Sequence, residues 1–167
     1  MPITIRKATA ADAERINKAA QVVFTQTFTP VIGAEQTAYM LSRMYDIDGL
    51  RQQISNGRDF YLAENPEGEI CGYLSCFPID GGIFRIEKLY VMPSAQKTGL
   101  GKRLFDHALS LAKLQVPPSK RLQLNVNREN PAVQFYLHIG MKIASQGDFV
   151  FGGGYYMRDY IMEYEVE

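Results

Sequence analysis

From Ile3 the chain alternates apolar and polar positions through "ITIRKA", the pattern of a half-buried strand. Thr9 then stands before Asp12 at the spacing of a capping box, with Asp in place of the usual Glu or Gln, and Ile16, Ala19, Ala20, Val23 and Phe24 recur at helical spacing. That predicts a helix running to about Thr27. Tyr39, Met40, Met44 and Tyr45 keep a helical period, which breaks at Asp46 to Asp48 and resumes through Leu50 and Ile54, predicting two short helices that end at Gly57. From Asp59 the period shortens. "DFYLAEN", "ICGYLSCFPI" and "IFRIEKLYV", joined by the turns "PEGE" and "DGG", read as an antiparallel meander.

Past the meander, Leu104, Phe105, Ala108, Leu109, Leu111 and Ala112 predict a helix stopped before "VPPSK", and "RLQLNVN" reads as a strand, closing a strand, helix, strand unit. "NPAVQFYLHIG" predicts a short helix, with Pro131 at its first position and Gly140 as its C-cap. "KIASQGDFVF" and "YYMRDYIMEYEVE" read as two closing strands. No repeat, low-complexity tract or Pro/Gly linker divides the chain. The expectation is one α/β domain over 1–167, with a mixed sheet flanked by helices.

Composition narrows the function. Eighteen Lys plus Arg balance eighteen Asp plus Glu, so no overall field recruits nucleic acid or an anionic membrane surface. Cys71 and Cys76 lie in one strand-like run, with no His/Cys cluster at zinc spacing, and read as buried strand residues in a reducing compartment. No run of about 18 apolar residues occurs, and "MPITIRKATAAD" has no apolar stretch behind a basic start. These features predict a cytoplasmic protein with no metal, membrane or nucleic-acid partner.

The chemistry concentrates in "MPSAQKTGLGKRL", where Gly99 and Gly101 stand between a strand and a helix. A helix start leaves its first N–H groups unpaired and carries partial positive charge, so a glycine-rich turn there is an anion site. The plain alternative is a tight turn needing positive φ. Two phosphate motifs fail: a GxGxxG fingerprint needs glycine where Leu104 stands, and a P-loop needs Ser or Thr where Arg103 follows Lys102.

"LYVMPSAQKTGLG" instead resembles the GNAT superfamily of N-acetyltransferases, in which a strand ending in Val leads through a short loop to Gln/Arg-x-x-Gly-x-Gly/Ala. Val91, Gln96, Gly99 and Gly101 are in register. The family's second motif is matched by "NPAVQFYLHIGM", with Asn130, Ala132, Phe135, Tyr136 and Gly140, and the order of elements is the GNAT order along nearly the whole chain. The resemblance implies the acyl-CoA N-acyltransferase fold, with a central, mostly antiparallel sheet, and acetyl-CoA as acetyl donor. It implies that Gln96 and the N–H groups of Lys97, Thr98, Gly99, Leu100, Gly101 and Lys102 hold the pyrophosphate. Lys97, Lys102 or Arg103 would add charge.

By the same resemblance, the backbone of Leu89, Tyr90 and Val91 pairs with the pantetheine arm like an added strand. Asn130 contacts the cofactor, although its segment is one residue shorter than in many members; read from the residues, it is equally a helix cap. Tyr136 is the general acid for the leaving thiolate, or else a helix tyrosine with a buried ring. Glu87 takes the position of the glutamate that serves as base, directly or through water, in polyamine-acetylating members; a strand carboxylate more simply faces solvent. A backbone N–H near Val91 would meet the oxyanion. His107 and His138 read as structural or surface residues.

A narrower resemblance concerns the acceptor. "VFTQTFTP", "YMLSRMYDIDGLRQQI", "FYLAENPEGEICGYLS", "IEKLYV" and "GDFVFGGGYYMRDYIMEYEV" are similar to the PaiA-type spermidine/spermine acetyltransferases. A polyamine acceptor is implied, for which Glu35, Asp46, Asp48, Asp159 and Glu163, with Tyr39, Tyr155 and Tyr156, offer carboxylates and aromatic faces. Other readings stand beside it: transfer to a protein N-terminus, an amino acid or an aminoglycoside, or a weakly catalytic acetyl-CoA sensor. The aromatic tail from Phe149 to Tyr164 is either a homodimer surface or ordinary core.

Overall fold

The computed structural model describes residues 2–167. Strands β1 (Thr4–Lys7), β2 (Asp59–Glu64), β3 (Ile70–Ile79), β4 (Ile83–Val91), β5 (Arg121–Asn127), β6 (Lys142–Gly152) and β7 (Tyr155–Glu165) form one seven-stranded sheet in the order β1-β2-β3-β4-β5-β7-β6. Every pairing is antiparallel except β4 with β5, which is parallel because a helix, α4 (Leu100–Lys113), carries the chain between them. The remaining helices are α1 (Ala13–Ile32), α2 (Ala34–Met44), α3 (Ile47–Ser55) and α5 (Ala132–His138).

Strand alternation divides the core between the two sheet faces. Phe60, Leu62 and Tyr73 pack with Ile16, Ala20, Phe24, Tyr45 and Leu50 of α1–α3 and the turn beyond α2. On the other face Leu74, Phe84, Ile86, Leu122 and Leu124 meet Leu104, Phe105 and Ala108 of α4 and Tyr136 of α5. Each large apolar side chain so buried contributes about 1.5–3 kcal/mol.

Two elements depart from the sequence reading. α1 runs past Thr27 to Ile32, with Pro30 inside it. The apolar stripe continues, since the Phe28 ring lies 4.5 Å from that of Phe24 and Ile32 reaches the same core. The helix stops at Gly33 (φ 84), whose N–H donates to Thr29 O. The Thr9–Asp12 pair opens a single 3-10 turn, Ala10–Asp12, rather than the α-helix itself. The Asp12 carboxylate accepts from Thr9 N–H at 2.8 Å, and mainly from Arg6 (3.0 Å) and Arg15 (3.1 Å). Both arginines also reach Glu64, so four charges pin β1, β2 and the start of α1 together.

The sheet opens at one place. β4 and β5 pair only from Ile83–Arg85 to Arg121–Gln123. Beyond Arg85, the β4 edge turned towards β5 has no strand partner, although its other edge stays paired to β3 as far as Val91. A register shift at Ser75/Cys76 leaves Glu87 as the extra residue of a bulge on β4, which bends the strand where the split begins. Among the described residues no helix is long and apolar enough to cross a membrane.

Candidate active site

The open half of β4 runs into the glycine turn. Lys97 (φ 64) and Gly99 (φ 84) have left-handed φ, the kind of turn in which successive amides can line one concavity. The first bond of α4 is Arg103 N–H to Gly99 O at 3.2 Å, so the amides of Leu100, Gly101 and Lys102 have no helical acceptor. Gln96 Nε2 reaches back to Val91 O at 3.3 Å and ties the turn to the strand end, and Thr98 Oγ1 donates to Ala95 O. The Leu100 side chain is core, so only its amide is offered. Lys102 pairs with Asp106 and Arg103 donates to Ile3 O, while Lys97 is exposed.

Gly101 has a reason of its own. A Cβ there would lie 3.1 Å from the Phe135 ring, so the missing side chain lets α5 press against the start of α4. Asn130 Oδ1 accepts from Ala132 N–H at 2.9 Å, starting α5 as a cap and leaving its NH2 group without that duty. Phe135 meets Tyr136 edge-on at 5.3 Å. Tyr136 is 6% exposed, and burial holds its phenol well above the usual range, so it keeps its proton. Tyr90 is shifted the same way by burial, with Tyr136 and Asp159 adding to it.

Glu87 lies on the sheet face that carries α1–α3. Its carboxylate accepts from Arg58 at 2.8 Å, Lys88 at 2.9 Å and Ser75 at 3.2 Å. Burial pushes its pKa up, but Lys88 and Arg58 together outweigh that and hold it below the ordinary value. A second carboxylate, Asp159 of β7, stands opposite Asn127 at the end of β5. It heads a file of polar groups that alternation puts on one face of β5 and its neighbours. Asn125 Nδ2 donates to Asp159 (3.3 Å), Arg85 to Asn125 and Gln123 (both 2.9 Å), and Gln123 to Glu163 (2.9 Å).

Beside Asn127 a groove of about 490 Å³ runs between Ile32 and Gln36 on one side and Gly154, Tyr155 and Tyr156 on the other. Tyr155 donates to Glu35 at 3.1 Å and its ring lies 5.2 Å from that of Tyr39. A Cβ on Gly153 would lie 2.5 Å from the Tyr39 ring, so the β6–β7 hairpin closes tightly onto α2. Of the carboxylates and aromatics suggested for ammonium groups, Tyr155 and Tyr156 line this groove together with Glu129, Arg128 and Arg158, and Glu35 and Tyr39 stand behind Tyr155. Asp46 instead caps α3, Asp48 pairs with Arg51, and Glu163 sits at the far end of the file.

The sequence reading missed that file and the Phe135–Gly101 contact. The trace of the first was the run of amides Gln123, Asn125 and Asn127 on a central strand, where alternation should have prompted the question of what they face. Both cysteines are buried, with burial raising their thiols. His107 lies against Tyr61 and His138 ends α5. Among the described residues no group of His, Cys, Asp or Glu could hold a metal.

Known proteins match this arrangement. An acetyltransferase (GNAT) domain model covers residues 28–154. An uncharacterized N-acetyltransferase from the pepI 3′ region of Lactobacillus delbrueckii subsp. lactis is 29% identical over 136 residues, 77% of this chain and 78% of that protein. The PaiA N-acetyltransferase of Thermoplasma acidophilum, solved with coenzyme A, superposes with a TM-score of 0.83 at 22% identity over 99% of each chain. YncA of Salmonella typhimurium, solved with acetyl-CoA, gives 0.69 at 19% identity over 100% of this chain and 95% of its own. The two structures share the fold, and the domain model, matched over well over half the chain and spanning the split strand, the amide turn and α5, carries the assignment: the chain belongs to the GNAT family of acetyltransferases.

Proposed function

We propose that residues 1–167 act as one domain that moves the acetyl group of acetyl-CoA to a primary amine by direct attack. The observation that carries this is the unpaired end of β4 leading straight into bare amides at the start of α4, with Tyr136 in the core cluster against which Leu89 and Val91 of that end pack. The ligand fits what is there. The amides from Lys97 to Lys102, tied down by Gln96, suit a pyrophosphate. The free edge at Leu89, Tyr90 and Val91 suits the amides of a pantetheine arm. Asn130 has its NH2 group to offer beside them.

In this reading the acceptor amine loses a proton and its lone pair attacks the thioester carbon, the oxyanion resting on an N–H near Val91. The C–S bond then breaks and Tyr136, protonated because it is buried, donates to the sulfur. The family resemblance gives the base to Glu87, directly or through water. Its ionised carboxylate is also an attractive charge for an incoming ammonium.

The acceptor we infer is a polyamine such as spermidine or spermine. Support comes from the likeness to the PaiA structure and from the cluster of Glu35, Tyr39 and Tyr155 at the edge of the groove, a carboxylate and aromatic faces able to hold an ammonium group. A homodimer is part of the proposal, through β6, an edge strand that exposes Ile143 and Val150. Free-thiol release from acetyl-CoA against spermidine, spermine, putrescine, lysine and short peptides tests the reading. Release with polyamines exceeding that with lysine or peptides is expected. Preference for lysine or a peptide would overturn the acceptor, and acetyl-CoA binding without release to any amine would overturn the enzyme.

A further inference from the structure

Two carboxylates flank the split, and their surroundings differ. Glu87 is ion-paired to both Arg58 and Lys88. Asp159 is 5% exposed and forms no ion pair among the described residues; the one side chain that donates to its carboxylate is the neutral amide of Asn125. Arg85 lies between the two and feels the charge of both, but its hydrogen bonds go to Asn125 and Gln123. The file thus sets a buried carboxylate in place through one neutral donor, with Arg85 bonded to Asn125 rather than to the carboxylate, and leaves lone pairs without a protein partner among the described residues. The oxygen that Asn125 does not reach is not fully enclosed, so a carboxylate buried on most sides stays open to a ligand. Its position ties it to the reacting region: it stands opposite Asn127, which lines the groove at the end of β5 that β4 no longer pairs, and its charge is felt by Tyr90 on the open half of β4.

We propose that Asp159 receives the reacting ammonium of the acceptor and takes its first proton, while Glu87 supplies a fixed negative charge nearby. This rests on the acetyltransferase reading and sharpens it. The ammonium R–NH3+ gives one proton to the Asp159 carboxylate, which passes it to solvent, and the N lone pair forms the C–N bond. Collapse breaks the C–S bond; the sulfur takes the Tyr136 proton, and the second nitrogen proton restores the phenol. The products are the amide, the free thiol and one proton.

Burial raises the Asp159 carboxyl above its ordinary value, although Asn125, Arg128 and Arg85 oppose the shift, whereas Glu87 is held below its own. The two shifts run in opposite directions, and the one at Asp159 favours proton uptake. The titratable and charged groups facing it are Arg85 and Tyr90 from β4 and Arg128 from the loop after β5; β6 presents Gly147 at its register position.

The experiment measures kcat/KM for spermidine and for putrescine against pH, with acetyl-CoA affinity and thermal unfolding as controls, for the wild type, Asp159→Asn and Asn125→Ala. Asp159→Asn is expected to lose about 100-fold at pH 7, to bind acetyl-CoA as before, and to regain rate steadily as pH rises towards the amine pKa, because only free amine then reacts. Asn125→Ala, which keeps the carboxylate but not its orienting donor, is expected to lose about 10-fold and to keep the wild-type pH profile. It serves as the test if Asp159→Asn does not fold. Asp159→Asn within threefold of wild type with the same pH profile would overturn the role of Asp159 and leave the acetyltransferase reading standing. The role of Asp159 is equally overturned if only Asn125→Ala folds and it matches wild type. A wild type that acetylates no amine would overturn both.

Discussion

The two ends of β4 show how one strand serves two purposes. Its first residues, Ile83–Arg85, are paired on both sides, and Phe84 is buried against the α4 side of the sheet. Its last residues keep β3 but lose β5, so the sheet stops being continuous at Glu87, where the bulge lies. The first end holds the halves of the sheet together. The second gives up ladder hydrogen bonds and leaves an edge that a ligand can complete. If the open end binds the cofactor as proposed, stability and binding reside in neighbouring residues of one strand and should be separable by mutation.

The largest effect should come from the closed end. Phe84→Ala is expected to lose about 3–5 kcal/mol in urea unfolding, because a fully buried ring leaves a cavity among rigid neighbours. At the open end, Tyr136→Phe should cut kcat by about 100-fold or more with acetyl-CoA affinity and unfolding midpoint nearly unchanged, as steady-state kinetics and calorimetry would record. Gly99→Val should weaken acetyl-CoA binding by about 10-fold, since a β-branched residue resists φ 84 and so distorts the turn that carries the amides; titration calorimetry measures this.

The smallest effect lies far from the split. Hydrogen bonds from Arg6, helped by Thr9 N–H and opposed by burial, hold the Asp12 carboxyl down to about 2 from 3.8. A lowered pKa in the folded state means stabilisation that is complete above the unfolded value and lost as pH falls from about 4 towards 2. After allowance for solvent screening the loss should be about 1 kcal/mol. Urea midpoints of wild type and Asp12→Asn should converge over that range, and a constant gap between them would contradict the assignment.

Much of the fold was legible in the chain because its elements announce themselves locally. The meander, α4 and the two closing strands follow from period and turn residues alone, and the amide turn from two glycines. The extent of α1 was not, since a Thr-Pro step reads as a stop and only the ring of Phe28, lying against that of Phe24, explains why the helix goes on. The polar file illustrates the other limit. Arg85, Asn125 and Asp159 lie far apart in sequence on three strands, and only the parallel pairing of β4 with β5 and the antiparallel pairing of β5 with β7 bring them together. Gly101 was noticed for its amide, yet Phe135 fills the space its side chain would occupy, a contact between elements that no local pattern encodes.

Acetyl-CoA binding at the open end of β4 and the turn after it is best tested by amide-resolved hydrogen exchange with and without acetyl-CoA. New protection is expected to concentrate on the backbone amides of residues 89–91 and 97–102, with little change at Ile83–Arg85 or in β1 and β2. Protection elsewhere, with those amides exchanging as before, would contradict binding at the split.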